Sequence, residues 1–374
     1  MCSMKSNLQM KEVNMRTEIK PCIQDYTREE LSGLIKPAFR AKQVYSWLYH
    51  KYVNSFEEMK NLPKALQEEL SSKYRIEPLT LAKKEQSKDG SIKYLFELHD
   101  GNTVEAVLLL MKKKQFNEDG SVKQQEKYTV CISCQVGCKV GCAFCLTAKS
   151  GFIANLTAGE IVEQIRYIKK DNDIDANRRL NIVYMGMGEP LDNLGPVAQS
   201  SRVFADKDGM AIAPHRQTIS TSGLSTKIVK LGKLELGVNL AISLHAVDDD
   251  LREQLMPINK AYNIKSIIDA VKDFPVNDRK RVMFEYLVIK DVNDSMDAAK
   301  KLLSLLNGIK SKVNLIYFNP YGGTEFKRPE EKDMKAFQEY LTHHGLHCTI
   351  RESKGLDISA ACGQLRDNEL EKES

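Results

Sequence analysis

The sequence predicts an α/β fold: a partial (β/α)6 barrel with a small N-terminal helical accessory domain and a β-hairpin extension. Three observations carry this. Between residues 26 and 74 apolar residues recur at three- and four-residue steps, the period of a helix. Between 91 and 132 the period shortens to that of strands. Beyond 128, six short runs of buried-strand character alternate with helical patterns, which implies parallel strands joined by right-handed crossovers. Six units are too few for a closed eight-stranded barrel.

Taken in order, residues 1–25 are polar and aperiodic and are expected to be loosely attached. Val44, Trp47, Leu48 and Tyr52, then Phe56, Met59, Leu62, Leu66 and Leu70, mark the helices of a module spanning 26–85, with Pro63 at a break or a helix start. Runs 92–98 and 103–110 around Asp100-Gly101 read as a hairpin. With the polar insertion 112–127 they form a linker region, 86–127. The barrel core is expected over 128–366 and a tail over 367–374. Within the core, Thr157 and Glu160 have the spacing of a capping box opening a helix. Strands are predicted at 128–132, 181–185, 217–220, 238–244, 282–289 and 313–318, and the clearest helices at 264–274, 296–306 and 332–343.

The chain has 374 residues, 42% hydrophobic and 28% charged, and a net charge of +5. Mean hydropathy is −0.39, and no run nears the ~18 apolar residues of a membrane span. The N-terminus lacks the apolar centre of a signal peptide. A soluble, cytoplasmic protein is expected. Residues 31–75 hold eight basic groups against four acids, which fits either a solvated helical face or an anionic partner.

Nine cysteines are present, five of them at Cys131, Cys134, Cys138, Cys142 and Cys145. A disulfide scaffold would be short and evenly cysteine-rich, and this chain is neither. Structural zinc draws on two separated ligand pairs, whereas no second Cys/His pair lies nearby downstream; His343, His344 and His347 sit on a late helix and its end. A compact thiolate loop suits an iron–sulfur centre. The register Cys138-x3-Cys142-x2-Cys145, with Phe144 before the last ligand, matches the signature of radical S-adenosylmethionine (SAM) enzymes. Three thiolates leave one iron of a [4Fe–4S] cluster open for SAM. Cys131 and Cys134 are then surplus. The plain reading of both is a small buried residue, and it is the preferred one for Cys134.

Met185-Gly186-Met187-Gly188-Glu189-Pro190 ends the second core strand and lacks the third glycine of a dinucleotide fingerprint. Beside the cysteine motif it resembles the segment by which radical SAM enzymes hold the amino group of SAM. Ser220-Thr221-Ser222-Gly223, Ser243-Leu244-His245 and Asn319 stand at equivalent strand ends. Together with 131–156, Met256-Pro257-Ile258-Asn259 and Ala361-Cys362-Gly363-Gln364-Leu365, these segments resemble the RlmN family of dual-specificity 23S rRNA/tRNA adenine-C2 methyltransferases over about residues 30–366. Pro190 and Ser222 favour it over the related Cfr-type methyltransferases, which act on carbon 8. Cys134, where the family usually has serine, and the insertion 112–127 depart from the pattern.

The resemblance implies that Cys138, Cys142 and Cys145 ligate the cluster and that Gly188, Glu189, Ser220, Ser243, Leu244, His245 and Asn319 contact SAM. It implies that Cys362 carries the methyl group, that Cys131 is its partner thiol and that Glu105 accepts a proton. From the residues alone, Cys362 reads as a buried free thiol, the commoner fate of a lone cysteine, and Glu105 as a solvent-facing hairpin residue; only the resemblance lifts Cys362 above that. The implied partners are 23S rRNA, tRNA, an external electron donor and a thiol reductant, with no membrane and a monomeric chain. The 26–75 segment would grip RNA phosphates. Two alternatives stand beside this reading. One is Cfr-type carbon-8 methylation; the other is a non-catalytic iron–sulfur nucleic-acid-binding protein, which needs neither Cys131 nor Cys362.

Overall fold

The computed structural model describes residues 20–365 apart from 77–78, 176–177, 179 and 277–279. The expected loose N-terminus up to residue 19, the last core residue 366 and the tail 367–374 lie outside the described residues. Residues 22–25 do not behave as a frayed end. Cys22, Ile23 and Gln24 are buried, and Ile23 N donates to Arg75 O at 2.9 Å.

Helices α1 (Arg28–Leu34), α2 (Phe39–His50) and α3 (Lys64–Lys73) form the N-terminal module. Pro63 is the residue before α3, so it starts a helix rather than breaking one. Val44, Leu48, Phe56, Met59, Leu62 and Leu70 are buried as their spacing predicts. The expected helical module does not run to 85. Residues Thr80–Gln86 form β1, an edge strand whose lysines and exposed faces hid it from a hydrophobic period.

β2 (Ile92–Glu97) and β3 (Thr103–Lys112) form the expected antiparallel hairpin, turned at Gly101 with φ +80°. The polar insertion closes on itself as a small hairpin of β4 (Gln115–Phe116) and β5 (Val122–Gln124). β6 (Lys127–Cys131) then opens the core, followed by β7 (Gln135–Gly137), the short helix α4 (Leu146–Lys149) and β8 (Phe152–Asn155).

The remaining core elements alternate. They are α5 (Ala158–Asp171), β9 (Asn181–Tyr184), α6 (Leu194–Ala205), β10 (Gln217–Thr221), α7 (Ser225–Lys233), β11 (Asn239–Ser243), α8 (Asp249–Leu255), α9 (Ile264–Lys272), β12 (Val282–Val288), α10 (Met296–Leu305), β13 (Ser311–Tyr317), α11 (Glu331–His343) and β14 (Cys348–Arg351). One ten-stranded sheet runs β1-β2-β3-β6-β9-β10-β11-β12-β13-β14. Its first four strands pair antiparallel, and from β6 to β14 every pairing is parallel. The six predicted core strands are present in the predicted order. β14 extends them, having been too short to register as a period.

α5 opens with the capping box seen in the sequence, Thr157 accepting from Glu160 N while Glu160 accepts from Thr157 N. This helix also seats the N-terminal module. Its fully buried Glu163 pairs with Arg166 through two bonds of 2.6 Å and accepts from Gln24 Nε2. Arg166 donates onward to Val53 O at 3.0 Å and Asn54 Oδ1 at 2.8 Å. A buried ion pair of this kind is bound to its neighbours, because removing one charge strands the other.

Candidate active site

The C-terminal ends of the parallel strands converge on a cleft with about 940 Å³ of empty space. The cysteine loop forms one wall. It leaves β7 at Gly137 (φ +70°), where a Cβ would fall 1.8 Å from Gly151 O, so glycine alone fits. Cys138 N donates to Gly151 O at 2.8 Å, Ala143 N to Leu255 O at 2.9 Å and Cys145 N to Cys142 O at 3.1 Å. These bonds curl the loop so that Cys138, Cys142 and Cys145 all line the cleft.

Burial pushes each of the three thiols up, Cys138 to about 12, and neighbouring thiols add to the effect. Three thiolates are stable there only with compensating positive charge. Among the described residues no three His, Cys, Asp or Glu side chains close on one point as a single metal ion requires. Three thiols on one loop lining one cavity can hold three irons of a [4Fe–4S] cluster and leave the fourth open.

The predicted SAM-contacting residues divide. Gly188, Glu189, Ser220, Ser243 and His245 line the same cleft as the cysteines. Gly188 has φ +102°, and a Cβ would meet Gln135 Cβ at 2.5 Å, so only glycine permits this close backbone approach. The Glu189 carboxylate accepts from Leu191 N at 2.9 Å and Ser222 N at 2.7 Å, while burial raises its pKa.

His245 Nδ1 accepts from Leu287 N at 3.0 Å, which leaves the proton on Nε2. Burial, with Arg252 nearby, pushes its pKa down to about 3, so the ring is neutral. Phe144 packs edge-on against it at 5.0 Å. Leu244 is fully buried and does not line the cleft; its backbone N donates to Glu285 O at 3.0 Å. Asn319 lies instead on a second, smaller cavity, where Oδ1 accepts from Ser353 Oγ at 3.0 Å and from Arg328.

That second cavity also holds Cys131, Arg351 and Cys362. Cys362 belongs to the walls of both cavities. Burial and the proximity of Cys362 push the Cys131 thiol up to about 12, and Arg351 opposes them. Cys134 does neither task. It is buried, lines neither cavity, and its thiol lies 3.6 Å from Met187 O, as its plain reading expected.

Glu105 corrects an expectation. It is 2% exposed rather than solvent-facing, because the β2–β3 hairpin continues the core sheet instead of standing free. Its partner is Lys93, at 3.2 Å. It lines neither cavity, although it shares a sheet face with Cys131, which pairs with Val107 two residues further along β3.

Two residues at the site were not anticipated. Glu285 lines the cleft, accepts from Ser220 Oγ at 3.2 Å, and has its pKa raised by burial. Arg351 approaches it at 3.8 Å from the second cavity. A lone acid inside the apolar run Val282-Met-Phe-Glu285-Tyr-Leu-Val288 was the available signal for the first. No comparable signal marked the arginine.

Similarity to known proteins follows the same division. Residues 23–76 match the family model described as the ribosomal RNA large subunit methyltransferase N-terminal domain, and 132–303 match the radical SAM superfamily. The chain is 78% identical over 354 residues to the dual-specificity RNA methyltransferase RlmN of Sulfurovum sp., covering 95% of this chain and 99% of that protein. It is 65% identical to the protein of the same name from Aliarcobacter butzleri, again over 95% and 99%. A crystal structure of a radical SAM methyltransferase from Sphaerobacter thermophilus superposes with a TM-score of 0.83 at 40% identity, covering 92% of this chain and 99% of that one.

Proposed function

This chain belongs to the RlmN family of dual-specificity RNA methyltransferases, of radical SAM type, and from that premise we propose that it methylates carbon 2 of adenosine in two RNAs. These are 23S rRNA, at the peptidyl transferase centre, and tRNA, at the adenosine 3′ of the anticodon. Its cofactors are a [4Fe–4S] cluster and SAM. Bound together and reduced by one electron, they supply a carbon radical that can take hydrogen from a methyl group.

Carbon 2 lies between two ring nitrogens and is too electron-poor to act as a nucleophile, so direct polar transfer from SAM fails there. The chain answers with Cys362. As thiolate it displaces S-adenosylhomocysteine from SAM, forming a carbon–sulfur bond and an S-methyl cysteine. After hydrogen abstraction, the Cys362 methylene bonds to carbon 2. The adduct gives up an electron, which returns to the oxidised cluster, and the carbon-2 proton, which is assigned to Glu105. Cys131, as thiolate, then attacks the Cys362 sulfur; the carbon–sulfur bond breaks, the departing methylene takes up a proton to become the methyl group, and a Cys131–Cys362 disulfide is left. An external thiol reductant restores both thiols, and an external donor supplies the electron for each radical.

Cys138, Cys142 and Cys145 are the cluster ligands in this reading. Gly188 and Glu189 receive the amino group of SAM, and Ser220, Ser243 and neutral His245 offer further polar contacts, with Leu244 and Asn319 nearby. Exposed Lys36, Lys51, Lys60 and Lys64 of the N-terminal module hold RNA phosphates. The adenosine leaves its stack to bring carbon 2 to the Cys362 methyl group. Among the described residues no helix is long and apolar enough to cross a membrane. A monomer acting in the cytoplasm, where both RNAs are found, is part of the same proposal.

The observation that carries this reading is the position of Cys362 on both cavity walls. The test is nucleoside mass spectrometry of rRNA and tRNA from cells lacking the protein and supplied with wild type or Cys362→Ala. 2-Methyladenosine in both RNAs with wild type alone is expected. 8-Methyladenosine would place the chain with the Cfr type.

A further inference from the structure

The segment that carries Cys362 is held at two points. Downstream, Leu146 N donates to Gly363 O at 2.8 Å and Thr147 Oγ1 to Leu365 O at 2.6 Å, so this end is fixed to the residues that follow Cys145. Upstream, the segment is clasped by the turn between β1 and β2. Asp89 Oδ2 accepts from Gly355 N at 2.9 Å. Asp357 reaches the other way, its two oxygens accepting from Ser87 Oγ at 2.6 Å and Lys88 N at 3.1 Å. Each loop therefore lends a carboxylate to the other, and bonds to carboxylate are the stronger kind.

The turn has its own frame. Ser87 N donates to Ser91 O at 2.8 Å, and Ser91 N donates to Asp89 Oδ1, also at 2.8 Å. The arc beyond it is equally determined. Gly355 takes φ +64°, Ala360 N donates to Gly355 O at 2.9 Å, and a Cβ on Gly355 would lie 2.7 Å from Ala360 Cβ. Ala360 and Ala361 are buried while Cys362 is exposed, with Ser359 (φ +50°) and Gly363 (φ +79°) on either side as points where the chain bends sharply.

We propose that the β1–β2 turn is a latch that sets the reach of Cys362, with Asp89 and Asp357 as positioning residues for its thiol. The proposal rests on Cys362 as methyl carrier and Cys131 as its partner. From Asp357 to Cys362 the chain runs only five residues, and Gly363 is held one residue beyond, so the clasp and the Gly363 bond together bound where the thiol can lie. Bond formation at sulfur tolerates errors of about 1 Å, so an arc loosened at the clasp and held only at Gly363 would present the thiol correctly less often. The β1–β2 hairpin, an addition at the sheet edge, thereby gains a purpose that its exposed surface does not otherwise suggest.

The experiment measures the effective concentration of Cys362 toward Cys131. Anaerobic holoenzyme is equilibrated in a glutathione redox buffer, and the Cys131–Cys362 disulfide is quantified by peptide mass spectrometry in molecules whose Cys362 is unmethylated. Asp89→Ala/Asp357→Ala is expected to lower it at least tenfold and to lower kcat in parallel. Iron content and SAM cleavage without RNA should stay within twofold. Asp89→Asn/Asp357→Asn, which keeps an acceptor oxygen at each place, should recover most of the loss. A merely stabilising turn would shift the melting temperature and leave the effective concentration alone, and that result overturns the latch. Should the alanine pair fail to fold, Ser87→Ala decides on a smaller scale, with a two- to fourfold fall expected and no change overturning the proposal. Wild type that forms no Cys131–Cys362 disulfide overturns the thiol assignment itself, and the latch with it.

Discussion

Cys131, at the end of the first core strand, and Cys362, beyond the last, line one cavity together with Arg351. Strands at opposite ends of the parallel run thus bring two thiols to one place, and curvature of the sheet is what allows it. Cys362 also reaches the cleft of the three cluster cysteines. A thiol with this double access can take a group on one side and deliver it on the other.

The cluster should depend on three cysteines only. Cys138→Ala, Cys142→Ala and Cys145→Ala are each expected to abolish the brown chromophore and its iron, while Cys134→Ala keeps both. Full iron content in any of the first three would show that the ligand register is wrong.

SAM affinity should be flat between pH 6 and 8 as far as His245 is concerned. Its folded pKa of about 3 lies below the ordinary 6.5, so the ring is neutral throughout that range. Unfolding takes up a proton between pH 6.5 and 3. His245 therefore lowers stability as pH falls through that window and has no such effect above it. Calorimetric titration with SAM at several pH values checks the first point. An affinity change with a midpoint near 6.5 that vanishes in His245→Gln would contradict it.

The fold of the cysteine loop and the glycine turn was legible because each is local. Ligand spacing in one loop, and a glycine needed for close backbone approach, leave their mark within a few residues. The buried state of Glu105 was not legible, since alternation along β3 gives a face but not what covers it. Glu285 and Arg351 meet only because β12 and β14 lie near one another in the sheet. The clasp of Asp89 and Asp357 joins segments that share no pattern at all. β1 and β14 were missed for a simpler reason: one is polar on both faces, the other four residues long.

Removing the charge that seats the N-terminal module should cost stability rather than chemistry. Arg166→Ala strands the buried Glu163 and is expected to lower unfolding free energy by about 3–5 kcal/mol in urea titrations. A loss below about 1 kcal/mol would mean that the pair is better solvated than its burial indicates.

Charge on the exposed face of the module should matter to RNA and to nothing else. Lys60→Glu/Lys64→Glu is expected to weaken RNA binding and to flatten its salt dependence by about 0.7–0.9 in log–log slope for each phosphate no longer neutralised. SAM cleavage without RNA should be unchanged. Unaltered affinity and slope would leave the module a structural role alone.

The division of labour between the two outlying thiols is tested most directly by the mass of the protein purified from cells as Cys131→Ala. On the proposed roles, that variant keeps the sulfur that carries the methyl group and lacks the thiol that releases the product. A thioether to adenine does not hydrolyse under mild conditions, so the protein should retain covalently attached, ribonuclease-sensitive RNA, with the bond at Cys362. The Cys131→Ala/Cys362→Ala protein should carry none. Cys131→Ala protein free of RNA, with Cys362 unmethylated, would contradict the account.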